Sequence, residues 1–291
     1  MRTIEVPGAN GITLIADERG PRDAPPVLLL HGGGQTRHSW AGTATTLADQ
    51  GWQSVALDFR GHGESEWAEG GDYRLVSFAR DVDAVVSTFD QPPFIIGASL
   101  GGFTAMLLAG ELHPGIARGV VLVDIIPEME SAGSHRVAEF MSAKAKEGFS
   151  SLDEVADAIA AYNPHRPRPS NLEGLRKNVR ERDGRWYWHW DPAFAGGGGG
   201  IADMGPSEVT DIDRLHAAVA RIADDGIPLM LVRGRVSDLV SAEGAQRFCD
   251  RFPSVEFVDV SGAGHMVAGD RNDAFTDAVV GFLTRHGDVW L

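Results

Sequence analysis

Six short, mostly apolar runs punctuate this chain: VLLL at 27–30, SVALD at 54–58, FII at 94–96, VVLV at 120–123, PLMLV at 228–232 and VEFVDV at 255–260. Each has the length of a strand, and most lack the polar alternation of a strand with one wet face. Such runs must be covered on both sides, which a parallel sheet with helices on either face provides. The stretches between them carry helical spacing, as in Leu75, Phe78, Val82, Val85 and Val86, or Phe275, Ala278, Val279, Phe282 and Leu283. At the start, RTIEV and ITLIAD alternate, with GANG between them as a hairpin turn. The expectation is a doubly wound, mostly parallel α/β sheet with an antiparallel beginning.

One interval breaks the rhythm. Between Val123 and Pro228 no run reads convincingly as a strand, while helical signals recur. SLDE at 151–154 and SNLE at 170–173 both fit a capping box. Ile212, Leu215, Val219 and Ile222 mark an amphipathic face, expected to be a helix returning to the sheet. An insertion of this length is expected to form a helical cap, with GGGGG at 196–200 as a flexible loop within it. The expected division is core at 1–126, a mainly helical cap with its return helix at 127–226, and core again at 227–291.

The stretch IIGASLGG at 95–102 sits between the strand FII and an apolar helix-like segment. In a strand–turn–helix context, Gly-x-Ser-x-Gly forms a sharp turn that lifts the serine above the sheet, at a helix N-terminus that favours negative charge. A serine hydroxyl needs a base, and the base needs an orienting acid. Asp238 follows a late strand in LMLVRGRVSDLV, and His265 follows the next in VEFVDVSGAGHM. Ser99, Asp238 and His265 thus stand at strand ends in the chain order of a serine hydrolase of this topology. HGGG at 31–34 directly follows VLLL, and the backbone N–H groups of Gly33 and Leu100 are the expected oxyanion donors. His31 is expected to be structural.

These pieces resemble the α/β-hydrolase superfamily, in its capped, serine-nucleophile branch of esterases, non-haem haloperoxidases and C–C-bond hydrolases. The resemblance rests on LLLHGGGQTRHSW at 28–40, ALDFRGHGES at 56–65, GASLGG at 97–102, GRVSDLV at 234–240 and GAGHMV at 262–267. It implies an eight-stranded core with a helical cap after strand six, and a Ser99–Asp238–His265 triad. It leaves one rival acid, Asp124 at the end of VVLV, because some members place the acid there. Epoxide hydrolases and haloalkane dehalogenases share this layout but use an aspartate where this chain has Ser99. Asp58, Arg60 and His62 in DFRGHGES are expected to tie a loop together.

The formal net charge of −15 argues against nucleic acid and anionic membranes as partners. A single cysteine, Cys249, excludes an intrachain disulfide and suits a cytoplasmic location. No apolar stretch reads as a signal peptide or membrane span. The ten histidines show no metal-ligand spacing, so neither metal nor other cofactor is expected. In RWYWHWDPAF, Trp186, Trp188 and Trp190 alternate, and one or two of these rings are candidates to line a substrate pocket. The expected activity is hydrolysis of a carboxylic ester-type bond (ester, lactone or thioester) in a small-molecule substrate through an acyl-enzyme. C–C-bond hydrolysis or perhydrolysis would use the same triad, and a ligand-gated receptor built on the same fold is the non-enzymatic alternative.

Overall fold

A computed structural model describes residues 1–163, 168–195, 211–261 and 273–287. The chain begins with β1 (Arg2–Pro7), β2 (Thr13–Arg19) and β3 (Pro26–Leu30), followed by α1 (Ala41–Asp49) and β4 (Gln53–Leu57). Then α2 (Leu75–Val86) leads to β5 (Phe94–Ala98), α3 (Leu100–Leu107) and β6 (Gly119–Val123). An interposed segment holds α4 (Ser131–Ser142), α5 (Leu152–Tyr162), β7 (Val179–Arg182), β8 (Arg185–Trp188), α6 (Pro192–Ala195) and α7 (Ile212–Asp224). The chain then returns through β9 (Leu229–Gly234), α8 (Ala242–Arg251), β10 (Glu256–Val260) and α9 (Asp273–Gly287).

Eight of these strands form one sheet in the order β1-β2-β4-β3-β5-β6-β9-β10. β2 runs antiparallel to both β1 and β4, and the remaining pairs are parallel. The apolar runs are apolar because the sheet separates two cores. On β3, Leu28 and Leu30 join one core while Val27 and Leu29 join the other. β6 divides in the same way, Val120 and Leu122 against Val121 and Val123. Helices α1 and α9 close one face through Leu47, Phe275 and Phe282. Helices α2, α3 and α7 close the other through Phe78, Met106 and Val219. Full burial of each such side chain is worth about 1.5–3 kcal/mol, which makes the strand assignments robust to weak local propensity.

The segment between β6 and β9 departs from the helical expectation. β7 and β8 form an antiparallel hairpin, with Val179 opposite Trp188 and Arg182 opposite Arg185. Its two-residue turn is Asp183–Gly184, with φ of 52° and 73°, the mirror-image turn that matches strand twist. Of the two expected capping boxes, Ser151 does accept the Glu154 N–H at 3.2 Å, at the start of α5. SNLE instead precedes a single 3-10 turn, Glu173–Lys177, where the Asn171 side chain accepts the Gly174 N–H at 3.1 Å. The segment is fastened to the sheet on two sides. Near β4, the Asp191 N–H donates to the Gly61 carbonyl at 2.8 Å and the Gly63 N–H donates to His189 Nδ1 at 2.9 Å. Near β9, the Glu130 N–H donates to the Leu239 carbonyl at 2.9 Å. GGGGG at 196–200 lies outside the described residues.

Candidate active site

Ser99 directly follows β5 and precedes α3 with φ 48° and ψ −114°, a backbone region that non-glycine residues rarely enter. Strain of this kind costs on the order of 1–3 kcal/mol and persists only where surroundings impose it. The surroundings here are backbone. A Cβ on Gly97 would overlap the Gly101 carbonyl, and a Cβ on Gly101 would overlap the Leu30 carbonyl. The turn is therefore tight enough to exclude side chains at both flanks, and it leaves the Ser99 side chain at the floor of a cavity of about 390 Å³.

Gly32, Gly33, Gly34 and Leu100 line the same cavity beside Ser99. The glycine loop is held from below by two buried histidines. His31 Nε2 accepts the Phe59 N–H at 3.1 Å, so Nδ1 carries the proton and donates to the Gly32 carbonyl at 2.7 Å. His62 Nε2 accepts the Gly34 N–H at 3.2 Å, and its Nδ1 donates to the Arg60 carbonyl at 3.0 Å. Burial keeps both rings neutral, with His31 pushed down to about 4 and His62 to about 3. Asp58 accepts the Arg37 and Glu64 N–H groups, and Arg60 donates two bonds to Asp81 at 2.6 and 2.7 Å. These residues brace the loops around the cavity.

The two candidate acids differ sharply. Asp124 follows β6 with φ 53° and is fully buried. Its carboxylate accepts the Gly234 N–H at 3.0 Å and the Ser237 hydroxyl at 2.6 Å. The residue before it, Val123, accepts the Ser99 N–H at 3.3 Å, so the β6 end and the serine turn are directly joined. Asp238 lies on the loop after β9 with its side chain 38% exposed, and it pairs with Arg136 of α4 at 2.5 Å. His265 lies outside the described residues.

The tryptophans divide as well. Trp188 and Trp190 line the cavity and stack on each other with ring centroids 4.8 Å apart. Trp186 is buried elsewhere, under the Arg176 guanidinium at 4.5 Å. Several lining residues are not among those the motifs single out, among them Phe140, Met141, Tyr162 and Lys177. The amphipathic spacing of Val137, Phe140 and Met141 was the available hint for α4. Burial, with the Asp238 charge adding, pushes the Tyr162 phenol up to about 12. Among the described residues no cluster of His, Cys, Asp or Glu could hold a metal ion, and no helix is long and apolar enough to cross a membrane.

Comparison with known proteins agrees with this geometry. Residues 25–271 match the alpha/beta hydrolase fold family. The chain is 32% identical to Esterase Rv0045c of Mycobacterium tuberculosis, over 89% of this chain and 83% of that protein. It is 27% identical to 2-(acetamidomethylene)succinate hydrolase of Mesorhizobium japonicum, over 94% and 92% of the two chains. The solved structure of E-2-(acetamidomethylene)succinate hydrolase superposes with a TM-score of 0.81 over 97% of this chain and 100% of that one, at 24% identity, a likeness of fold. Sequence and architecture agree over most of its length, and the chain belongs to the alpha/beta hydrolase fold family as one of its hydrolases.

Proposed function

We propose that this protein hydrolyses small carboxylic ester-type substrates, with Ser99 as the nucleophile of an acyl-enzyme. The observation that carries the reading is the strained, glycine-flanked turn that holds Ser99 at the floor of a mostly apolar cavity. Kinship to a mycobacterial esterase supports ester chemistry over other hydrolytic reactions. In this reading His265 takes the Ser99 proton as the hydroxyl attacks the carbonyl carbon. The Gly33 and Leu100 N–H groups donate to the oxyanion. His265 then protonates the leaving alcohol or thiol, and activates the water that releases the acid product. No step requires a cofactor.

For the acid that orients His265, the surroundings favour Asp124 over the Asp238 that chain order suggests. An orienting carboxylate must be fixed and screened from competing cations. Asp124 is buried and held by two hydrogen bonds at the strand end beside Ser99, whereas Asp238 is half-exposed and already neutralised by Arg136. The segment 127–226 serves as the cap that shapes the acyl or alcohol pocket, through Trp188 and Trp190. A small-molecule substrate and a cytoplasmic setting fit the single cysteine and the acidic surface.

The test is a screen of p-nitrophenyl esters, lactones and thioesters of graded size with Ser99→Ala as control. Multiple turnover of at least one ester, lost in Ser99→Ala with the fold retained, is expected. Equal turnover by Ser99→Ala would remove Ser99 from the mechanism.

A further inference from the structure

We propose that the cavity selects esters with one apolar arm and one arm ending in an acidic group, and that Lys177 is the residue that recognises the acidic end. The inference rests on the esterase reading above and adds a substrate class to it.

The sheet order sets a direction across the cavity. Ser99 directly follows β5, which has β3 and β4 on one side and β6 and β9 on the other. On the β6–β9 side the lining is mainly apolar: Met129 after β6, Leu239 after β9 and Val137 of α4, with the Ser134 hydroxyl as its one polar group from α4; from there α4 crosses the cavity, so that Phe140 packs on Trp188 and Met141 reaches Gly34. α4 is fixed to that side by the Arg136–Asp238 pair. On the β3–β4 side the lining is polar: Gln35, His38 and Ser39 after β3, with Lys177 and Asn178 ahead of β7. The hairpin that Lys177 precedes is fixed there through Arg180, which donates to the Gly63 carbonyl, and through His189. His38 and Lys177 both line the cavity, and burial, with the Arg37 charge adding, holds the His38 imidazole below its ordinary value.

Charge then singles out Lys177. The chain carries a formal net charge of −15, yet among the described residues the cavity lining contains no aspartate or glutamate and one lysine. The adjacent Arg176 is committed to Glu173 at 2.7 Å. Among the described residues no ion pair holds Lys177, which is exposed at the rim of the cavity. A flexible ammonium at the polar end of a cavity whose described lining carries no carboxylate attracts an anion where the remaining acidic surface repels one. Carboxylate and phosphate ends share this chemistry.

Two matched substrate pairs test the assignment. The first compares mono-p-nitrophenyl adipate with its neutral adipamide counterpart, and so puts the charge on the acyl arm. The second compares butyrate esters of 5-hydroxy-2-nitrobenzoate and p-nitrophenol, and so puts it on the leaving group. In one pair the anionic ester should be favoured about fivefold in kcat/KM at low salt, the size of a good exposed ion pair, and less at 0.5 M salt. Lys177→Gln should erase that preference, Lys177→Glu should invert it, and Lys177→Arg should keep it. A lack of preference in both pairs, or a preference that survives Lys177→Gln and Lys177→Glu, overturns the proposal. Failure of the enzyme to hydrolyse any neutral ester would count against the esterase reading alone. Lys177 would then be judged by calorimetry on Ser99→Ala, where adipate should bind more tightly than adipamide only while Lys177 is present. Equal binding of the two would overturn the assignment.

Discussion

The floor and the roof of the cavity are built on different terms. The floor is the C-terminal edge of the sheet, where Gly97 and Gly101 each meet backbone carbonyls and Ser99 adopts φ 48°. Almost no other residue fits those positions, so the local sequence is forced. The roof is the segment from α4 to α6, held by a few cross-links to the loops after β4 and β9. Its aromatic rings stack on one another, as Phe140 does on Tyr162 with centroids 4.2 Å apart, and many sequences could satisfy that packing. In the proposed reading, chemistry resides where the chain has least freedom and substrate choice where it has more.

The sharpest way to break this division is through the two aspartates. Asp124 belongs to the floor, and Asp238 is tied to the roof through Arg136. Asp124→Asn should lower kcat on an activated ester by about three to four orders of magnitude, the effect of losing an orienting acid in a triad. Asp238→Asn should cost only a few-fold. The reverse ranking, with both variants folded by circular dichroism, would return the acid to Asp238.

Gly101→Ala should act on both stability and rate, because its Cβ would press on the Leu30 carbonyl in the strand beneath. Overpacking against fixed backbone costs about 1–3 kcal/mol, which urea unfolding would report as a lowered midpoint. An unshifted midpoint would mean that the turn is less constrained than its geometry implies.

The roof should respond in specificity. Trp188→Leu and Trp190→Leu enlarge the cavity they line and should move the preferred acyl chain toward longer esters. Trp186→Leu, whose ring lies under Arg176 outside the cavity, should leave the chain-length profile in place. A shift in the Trp186 variant equal to the others would dissolve the distinction between lining and packing rings.

A pH dependence of stability should arise from beneath the floor. Burial disfavours the imidazolium and pushes His31 down to about 4 and His62 to about 3 in the folded protein. The unfolded chain takes up these protons near the ordinary pKa of about 6.5. Their contribution to stability is therefore complete above that pH and is lost as pH falls from 6.5 toward 4. Each ring contributes a slope approaching 1.4 kcal/mol per pH unit. His62→Gln should flatten the decline measured by urea unfolding between pH 7 and pH 5. A wild-type protein equally stable across that range would contradict the assignment.

Legibility in the sequence follows the same division. The apolar runs marked the strands because burial on both faces demands such runs, and GASLGG marked the serine turn because only glycine tolerates its flanks. The β7–β8 hairpin went unread although Asp183–Gly184 is a strong two-residue turn signal. Its strands are only four residues long, and β7 reads as charged. The choice between Asp124 and Asp238 was open for a different reason. Both follow strands, and what separates them is burial and the Arg136 partner, which come from tertiary packing. Lys177 had no local signal, since the role proposed for it depends on the scarcity of other charges in the described lining of a cavity assembled from distant segments.

The central claim, that Ser99 forms a covalent intermediate, is tested most directly by trapping it. The protein should be treated with a p-nitrophenyl alkylphosphonate, an analogue of the tetrahedral intermediate that phosphonylates activated serines. Intact mass should rise by one phosphonyl group with loss of esterase activity, peptide mapping should locate the adduct on Ser99, and Ser99→Ala should remain unmodified. An unlabelled but ester-active wild-type protein, or an adduct on another residue that forms equally in Ser99→Ala, would contradict the account.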